Sequence, residues 1–410
     1  MYLKKEVFWT NENGVTRQLS ALQGIRSRVT FEPSNDNLRL SLIDDESLYQ
    51  DGKFRIKEGD RIDVFIKMVK DNIDVSMKGS DMIWSGIFLD YNRTDDTDNQ
   101  SIDITVTSLS YEIFNRFWNQ SYANQSLKTN EIIADILQNL SENVGGTGDY
   151  NVTYSMVEYP SREGIQSTRS DGSDFPIIEP VYTQKPMYEW LQELSSPLWT
   201  NTDEEIPPVQ SRKMVFRIDG DITNNKIIYN AKWFYPVIDN AIILSSLDQV
   251  ISINGGSTNE DSVNLLYLDC GEDFNGRPIK TQIFDQTHSA MPIIKERYEH
   301  KVSIGGLNND YQNEYNSLRQ KYYPGQNQEF RNEVTKLARS YADYWFKEFG
   351  RAKPKLTITI PFQRADLGSY IYLNLPKYPK GYYFIEALGY NITESEATTI
   401  LDVFLDDDIN

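Results

Sequence analysis

Apolar residues recur at every second position through the first hundred residues of the chain. Leu38, Leu40 and Leu42 alternate with Arg39 and Ser41, and Ile62, Val64, Ile66 and Met68 alternate with Asp63, Phe65 and Lys67. Ile102, Ile104 and Val106 alternate with Asp103 and Thr105. A period of two marks a strand with one buried face, because successive side chains point to opposite sides of a sheet. Turn-forming residues separate the runs: Asn13-Gly14, Asp51-Gly52, Glu58-Gly59-Asp60 and the polar stretch 94–100. Many short strands with turns between them predict a sandwich or barrel over residues 1–108.

The period changes after Leu109. Residues 111–118 predict a short amphipathic helix. Thr129 or Asn130 is placed to cap a second helix, with Glu131 in its first turn, where the helix dipole favours an anion. Ile132, Ile133, Ile136, Leu137 and Leu140 fall on one face of that helix, and Val144-Gly145-Gly146 ends it. Residues 160–186, polar and broken by Pro and Gly, predict an exposed loop. A third helix over 187–194 carries Trp190, Leu191 and Leu194, and strands are expected at 214–218 and 226–233. Residues 109–238 therefore predict an α+β middle domain.

Strand patterns return from residue 239, at 241–247, 250–253 and 265–268. A Tyr-rich polar stretch, 308–328, precedes a helix whose apolar face is marked by Val334, Leu337, Ala338, Tyr341, Trp345 and Phe349. Gly350 and Pro354 stop that helix. Four strands then run to the end, at 356–360, 370–375, 382–390 and 399–405. Residues 239–410 are thus expected to form a second β domain with a helical insertion at about 306–353 that breaks its continuity. The fold class is α+β, mainly β.

One grammar occurs twice. Gly59-Asp60-Arg61-Ile62 opens a strand. It is followed by Ile83-Trp84-Ser-Gly-Ile-Phe-Leu-Asp-Tyr91, a polar turn, and Ser101-Ile-Asp-Ile-Thr-Val106. Leu367-Gly368 opens another, followed by Tyr382-Tyr-Phe-Ile-Glu-Ala-Leu-Gly-Tyr390, a polar turn, and Thr399-Ile-Leu-Asp-Val403. Repetition of a glycine-opened strand, an aromatic strand and an alternating strand predicts two similar barrels.

Composition narrows the functions open to the chain. Its 410 residues exceed the roughly 100–200 of one typical domain. A net charge of −19 argues against tight nucleic-acid binding, which needs Lys and Arg to displace counterions from phosphate. The one cysteine, Cys270, excludes an internal disulfide and a cysteine metal site. The opening residues run straight into a strand pattern, and no apolar run is long enough for a transmembrane helix. The expectation is a chain made in a cytosol and assembled there.

Chemistry-bearing motifs are few. His288 and His300 lack metal-ligand spacing, and Gly255-Gly256 and Gly305-Gly306 predict turns rather than a phosphate loop. The carboxylate pairs Asp44-Asp45 and Asp95-Asp96 fall in turns, which favour Asp for backbone reasons. The 95–98 loop lacks the glycine and spaced ligands of an EF-hand, and whether it binds an ion stays open. Asp406-Asp407-Asp408 is expected to be an exposed charge run. The aromatic residues Tyr341, Tyr344 and Trp345 of the long helix predict a core face. No catalytic, cofactor-binding or metal-ligating residue is assigned.

The order of these segments resembles the baseplate hub proteins of phage tails: the late control protein D family and the hub part of type VI secretion spike proteins. Trp84-Ser-Gly-Ile-Phe-Leu-Asp-Tyr91 resembles a strand of the family's first barrel, and Glu131-Ile-Ile-Ala-Asp-Ile-Leu-Gln138 the helix after it. Met187-Tyr-Glu-Trp-Leu-Gln-Glu-Leu194 resembles a further helix of the family. Leu356-Thr-Ile-Thr-Ile-Pro361, Leu367-Gly368, Tyr383-Phe-Ile385 and Thr398-Thr399 resemble its last barrel. No lysozyme, spike-helix or peptidase sequence follows the last strand in these residues.

The resemblance implies two tube-like barrels per chain and a homotrimer forming a pseudo-hexameric ring in the virion baseplate. The tail tube or a distal tail protein would lie above it, a central spike or tip protein below, and the tape measure protein is a further possible partner. DNA would pass through an acidic lumen without specific binding. Two rival readings stay open at this point: a receptor- or carbohydrate-binding tail-tip protein, and a polysaccharide-degrading tail enzyme.

Overall fold

The period-two runs become the strands of one large sheet. The computed structural model describes residues 2–406 except 12, 14, 21, 32–34, 45, 70–80, 97–98, 116, 119, 123–124, 145–155, 162–163, 170–171, 173, 176, 179–184, 196–213, 224–225, 237, 258–264, 285–295, 300–307, 324 and 350–353. Thirteen strands join in that sheet. Its main path runs Ser252–Ser257, Pro354–Pro361, Ala397–Leu405, Gly381–Ile392, Leu22–Thr30, Asn37–Ile43, Asn99–Ser108, Met82–Asp96, Arg61–Val69, Tyr2–Thr10 and Thr16–Gln18. Tyr370–Leu373 pairs with Gly381–Ile392 on one side and with Ile242–Leu244 on the other.

The alternation read from the sequence sets which face is buried. Leu38, Leu40, Leu42, Ile62, Val64, Ile102, Ile104 and Val106 are fully buried in a core that also takes Ile358, Ile371, Ile385 and Leu401 from the far end of the chain. Each such side chain contributes about 1.5–3 kcal/mol on leaving water. The first and last parts of the chain thus share one hydrophobic core and one sheet. Among the described residues no pairing closes either half of the sheet on itself.

The strand Arg61–Val69 departs from simple alternation. Its second face, Arg61, Asp63 and Phe65, is buried as well, and Met68 is exposed. A further layer covers that face: Phe65 and Met82 belong to a second core built from residues of the middle region. There the helix Thr129–Val144 buries Ile132, Ile133, Ile136 and Leu137 as expected, while Leu140 lies outside the described side chains. Met187–Glu193 buries Trp190 and Leu191. Val215–Thr223 and Lys226–Phe234 form an antiparallel pair, and Met156–Ser161 adds to it in parallel.

Two expectations for this region are corrected. The predicted helix over 111–118 runs Leu109–Phe114 instead, and Phe117–Trp118 is a short strand paired with Lys185–Pro186. The segment 160–186 is not a free loop. Phe175 is buried against Trp233 at 4.6 Å between ring centres, and Ile177–Ile178 pairs with Leu127–Lys128. A bridge from Ile165 to Trp233 and the bond from the Gln166 amide to Trp233 O add to these ties.

A third core lies within the C-terminal half. Leu265–Glu272 pairs antiparallel with Pro278–Phe284 and parallel with Glu296–Glu299. The helices Asn308–Tyr322 and Asn327–Phe349 cover this small sheet with Phe330, Val334, Leu337, Ala338, Ala342 and Phe346, against Leu268 and the buried Cys270. The first helix occupies most of the polar, Tyr-rich stretch 308–328, within the span where a helical insertion was expected. Its buried anchor is Tyr315, whose hydroxyl bonds both the amide and the carbonyl of Glu272. Tyr341, Trp345 and Phe349 of the long helix lie outside the described side chains.

Asp273 locks this unit. Its carboxylate accepts bonds from the amides of Asn275 and Arg277 (both 2.9 Å), from Asn327 Nδ2 (3.2 Å) and from Arg331 (2.7 Å). Burial alone would raise the Asp273 carboxyl. The hydrogen bonds from Arg277, Asn327, Arg331 and Asn275 outweigh it and hold the pKa at about 2.

Candidate functional site

The two halves of the large sheet repeat one ladder. In the first half the strands lie in the order Arg61–Val69, Met82–Asp96, Asn99–Ser108, Asn37–Ile43, Leu22–Thr30. In the second the order is Tyr370–Leu373, Gly381–Ile392, Ala397–Leu405, Pro354–Pro361, Ser252–Ser257. The registers match step for step. Ile87 faces Arg61 and Gly86 faces Ile62, as Phe384 faces Tyr370 and Tyr383 faces Ile371. Phe88 faces Val106, as Ile385 faces Val403.

Irregularities repeat too. A register shift falls between Phe88 and Asp90 in one half and between Ile385 and Ala387 in the other. Gly59 (φ 90°) and Gly368 (φ 77°) open the equivalent strands from the left-handed region, where glycine has no steric penalty. The amide of Gly59 donates to Phe88 O and that of Phe88 to Asp60 O. Likewise the amide of Gly368 donates to Ile385 O and that of Ile385 to Ser369 O. The sequence grammar of glycine-opened strand, aromatic strand and final strand falls on these duplicated strands, although among the described residues neither half closes into the barrel expected from it.

The halves join edge to edge. Residues 387–392 extend beyond their partner Tyr370–Leu373, and Leu22–Thr30 adds to the protruding part, from Ala387 opposite Thr30 to Ile392 opposite Ile25. Arg28 bridges the seam to Asp402 at 2.7 Å, and Arg26 Nε donates to Asn391 Oδ1 at 3.4 Å. Gly389 permits the close approach: a Cβ there would stand 2.8 Å from the carbonyl oxygen of Ser27.

The equivalent protrusion in the first half is bare. Met82–Asp96 outruns Arg61–Val69 beyond Phe88, and among the described residues no strand pairs with that side of 89–96. Leu89 is 47% exposed and Tyr91 44%, while Leu388, the residue equivalent to Tyr91, is 7% exposed. At the far end of the sheet, Ser252–Ser257 is an edge strand, equivalent to Leu22–Thr30. Within it Gly255 sits at φ 118°, and a Cβ would fall 2.4 Å from the carbonyl oxygen of Lys355. Gly255-Gly256 therefore lies in an edge strand, not in the expected turn.

A cavity of about 340 Å³ opens where the large sheet, the middle region and the loop after Pro361 meet. Asp36, Tyr188, Arg217, Lys232, Arg364 and Asp366 line it. Arg217 donates to Leu367 O (2.6 Å) and Arg364 to Met82 O (3.5 Å), so these cations tie the layers together. Asp36 accepts from the amide (2.6 Å) and hydroxyl (3.3 Å) of Thr30. Burial pushes its carboxyl up to about 8, against the pull of those bonds and of Arg28.

The residues weighed for chemistry are dispersed. Asp44 pairs with Arg93 at 2.6 Å, which accounts for its buried carboxylate, and Asp45 lies outside the described residues. Asp95 and Asp96 end the hairpin, opposite Gln100 and Asn99; residues 97 and 98 are not described. Asp406 accepts from the Tyr370 hydroxyl at 2.8 Å instead of being free in solvent; Asp407 and Asp408 are not described. His288, His300 and Gly305-Gly306 also lie outside the described residues. Among the described residues no group of three His, Cys, Asp or Glu is placed to hold a metal, and no helix is long and apolar enough to cross a membrane.

No family profile and no curated sequence matches the chain. Solved structures do. The 43 kDa tail protein of prophage MuSo2 from Shewanella oneidensis aligns over 99% of this chain and 100% of its own, at 12% identity and a TM-score of 0.53. The tail protein from Neisseria meningitidis MC58 aligns over 100% and 98%, at 8% identity and a TM-score of 0.51. The chain has the fold of phage tail proteins. Both alignments span nearly the whole of each chain.

Proposed function

We propose that this chain is the structural hub of a phage tail baseplate, located in the virion. Three copies form a pseudo-hexameric ring beneath the six-fold tail tube or a distal tail protein, and present three-fold symmetry to a central spike or tip protein. The observation that carries this reading is the duplicated ladder. One chain offers two equivalent sheet units, so three chains offer six, and heterologous contacts between equivalent edges can close a ring. Each unit corresponds to a tube-like barrel completed in the assembly.

The proposed division follows the duplicated ladder, with the two sheet units sharing one core. Residues 1–108 form the first tube-like unit and 109–238 the middle domain. Residues 239–410 form the second unit; its helical insertion at about 306–353 is joined by the strands from Leu265, which share a core with both helices. The tape measure protein contacts the ring, and DNA passes an acidic lumen, in keeping with a net charge of −19. No enzymatic role is assigned. The duplication distinguishes this reading from a receptor-binding tip, which needs no paired units.

The test is the mass of the purified full-length chain by light scattering across its soluble concentration range. A trimer is expected at the upper end. A chain that stays monomeric throughout, or that forms dimers as its end state, overturns the proposal.

A further inference from the structure

The register of the internal seam specifies the seam between copies. Within one chain, Leu22–Thr30 adds to the protruding half of Gly381–Ile392. The ladder equivalences turn that pairing into a second one that no single chain can be seen to make. Ser252–Ser257 takes the place of Leu22–Thr30, because Ile253 faces Ile358 as Ile25 faces Leu40. Met82–Asp96 takes the place of Gly381–Ile392. We propose that Ser252–Ser257 of one copy adds antiparallel to the bare stretch 89–95 of Met82–Asp96 in the next copy. The register sets Tyr91 opposite Ser257, Asn92 opposite Gly256, Arg93 opposite Gly255 and Thr94 opposite Asn254. This proposal rests on the ring-forming reading above and names the surface and register that make it.

Three observations favour a second copy as the occupant. Ser252–Ser257 ends the main path of the sheet and 89–96 outruns its neighbour Arg61–Val69, so among the described residues neither has a ladder partner on one side, and such an edge is a template for another strand. The glycine needed for close approach has changed strands. In the internal seam Gly389 faces Arg28, and a Cβ at Gly389 would meet the carbonyl of Ser27. In the proposed seam the glycine is Gly256, facing Asn92, and the residue in the place of Ser27 is Gly255. Gly255 has a positive φ of 118°, so its backbone differs from that of Ser27 at the corresponding step. Finally, the polar pair of the internal seam, Arg26 with Asn391, has the counterpart Asn254 with Thr94, an amide and a hydroxyl able to hydrogen-bond across the strands.

Cysteine pairs in the full-length protein test the register. Opposed residues on paired strands hold their Cβ atoms about 4.5–5.5 Å apart and diagonal ones about 7–8 Å, and a disulfide needs roughly 3.5–4.5 Å. Thr94→Cys with Asn254→Cys, and Asn92→Cys with Gly256→Cys, should each give covalent dimers and trimers under mild oxidation. Thr94→Cys with Gly256→Cys, two steps out of register, should give on the order of tenfold less. All four positions are exposed, a side chain at Gly256 meets nothing within 4 Å, and the native Cys270 is buried. The oligomeric state of each variant is measured alongside by light scattering. Trimers that form without crosslinks in the matched pairs, or with equal crosslinking in the offset pair, overturn this seam while leaving the trimeric reading intact. Monomers at every concentration overturn both.

Discussion

The two halves of the large sheet share a ladder but not a surface. The protruding strand of the second half reads Ala387-Leu-Gly-Tyr-Asn-Ile392, and its equivalent in the first half reads Asp90-Tyr-Asn-Arg-Thr-Asp95. The former is covered within the chain by Leu22–Thr30 and is largely buried; the latter is exposed as far as it is described. Backbone geometry tolerates either composition, since the hydrogen-bond registers coincide. The side chains record the history of each edge. An edge covered during folding of its own chain can be apolar. An edge that stays in water until another copy arrives has to be polar and charged to avoid indiscriminate pairing.

A second difference concerns the opposite face. Arg61 and Tyr370 are register equivalents, as are Asp63 and Tyr372. In the first half the middle region covers this face, and Arg61 and Asp63 are an ion pair at 2.8 Å with side-chain exposures of 0% and 1%. Ser85 Oγ donates to the same carboxylate oxygen at 2.6 Å. In the second half tyrosines take these positions. Breaking a buried ion pair by removing one partner typically costs about 3–5 kcal/mol, because the other charge stays buried. Asp63→Ala should therefore lower the unfolding free energy by about that amount in chemical denaturation. Tyr372→Ala at the equivalent position should cost clearly less. Equal losses would mean that the two faces are not covered differently.

Much of this was readable from the residues. The glycine-opened strands, the alternating final strands and the apolar face from Ile132 to Leu137 all stand where their periodicity put them. What the pattern hid has physical causes. Arg61 and Asp63 read as solvent-facing partners of Ile62 and Val64, and only the aromatic Phe65 on their side hints at a second covered face. The bounds of the helix Asn308–Tyr322 were hard to read because, among its described side chains, only Tyr315 is fully buried, too little for an apolar stripe. The seam between the halves joins residues nearly the length of the chain apart, and no local signal encodes such a pairing. The large insertion is the counterpart of a short connection: it fills the loop between Ser252–Ser257 and Pro354–Pro361, where the first half needs only 31–36 between Leu22–Thr30 and Asn37–Ile43.

The seam itself offers a sharper contrast at smaller cost. Gly389→Ala places a methyl group 2.8 Å from the Ser27 carbonyl, a backbone atom that cannot swing aside. Overpacking of this kind costs about 1–3 kcal/mol. Asn92→Ala, at the equivalent step of the bare strand, should stay within about 0.5 kcal/mol in the monomer, as exposed substitutions do. Thermal denaturation of both variants at low concentration checks this. A Gly389→Ala protein as stable as the parent would mean that the internal seam is looser than its register suggests.

A pH-dependent effect is expected at the short loop that stands where the insertion stands in the other half. Asp36 closes it by accepting the Thr30 amide, at the step where Thr30 faces Ala387 across the seam. Its carboxyl is raised from 3.8 to about 8, chiefly by burial. The folded chain therefore binds this proton between pH 4 and 8, where the unfolded chain has released it. Stability from this group is full below about pH 4, falls as pH rises towards 8, and is level above that. Asp36→Asn keeps a carbonyl oxygen for the Thr30 amide and cannot ionise. It should leave the melting temperature nearly unchanged at pH 4 and raise it by a few degrees at pH 8. A rise of the same size at both pH values would locate the gain in packing rather than in the carboxylate. A fall at both would show that the amide does not replace the carboxyl in its bonds with Thr30.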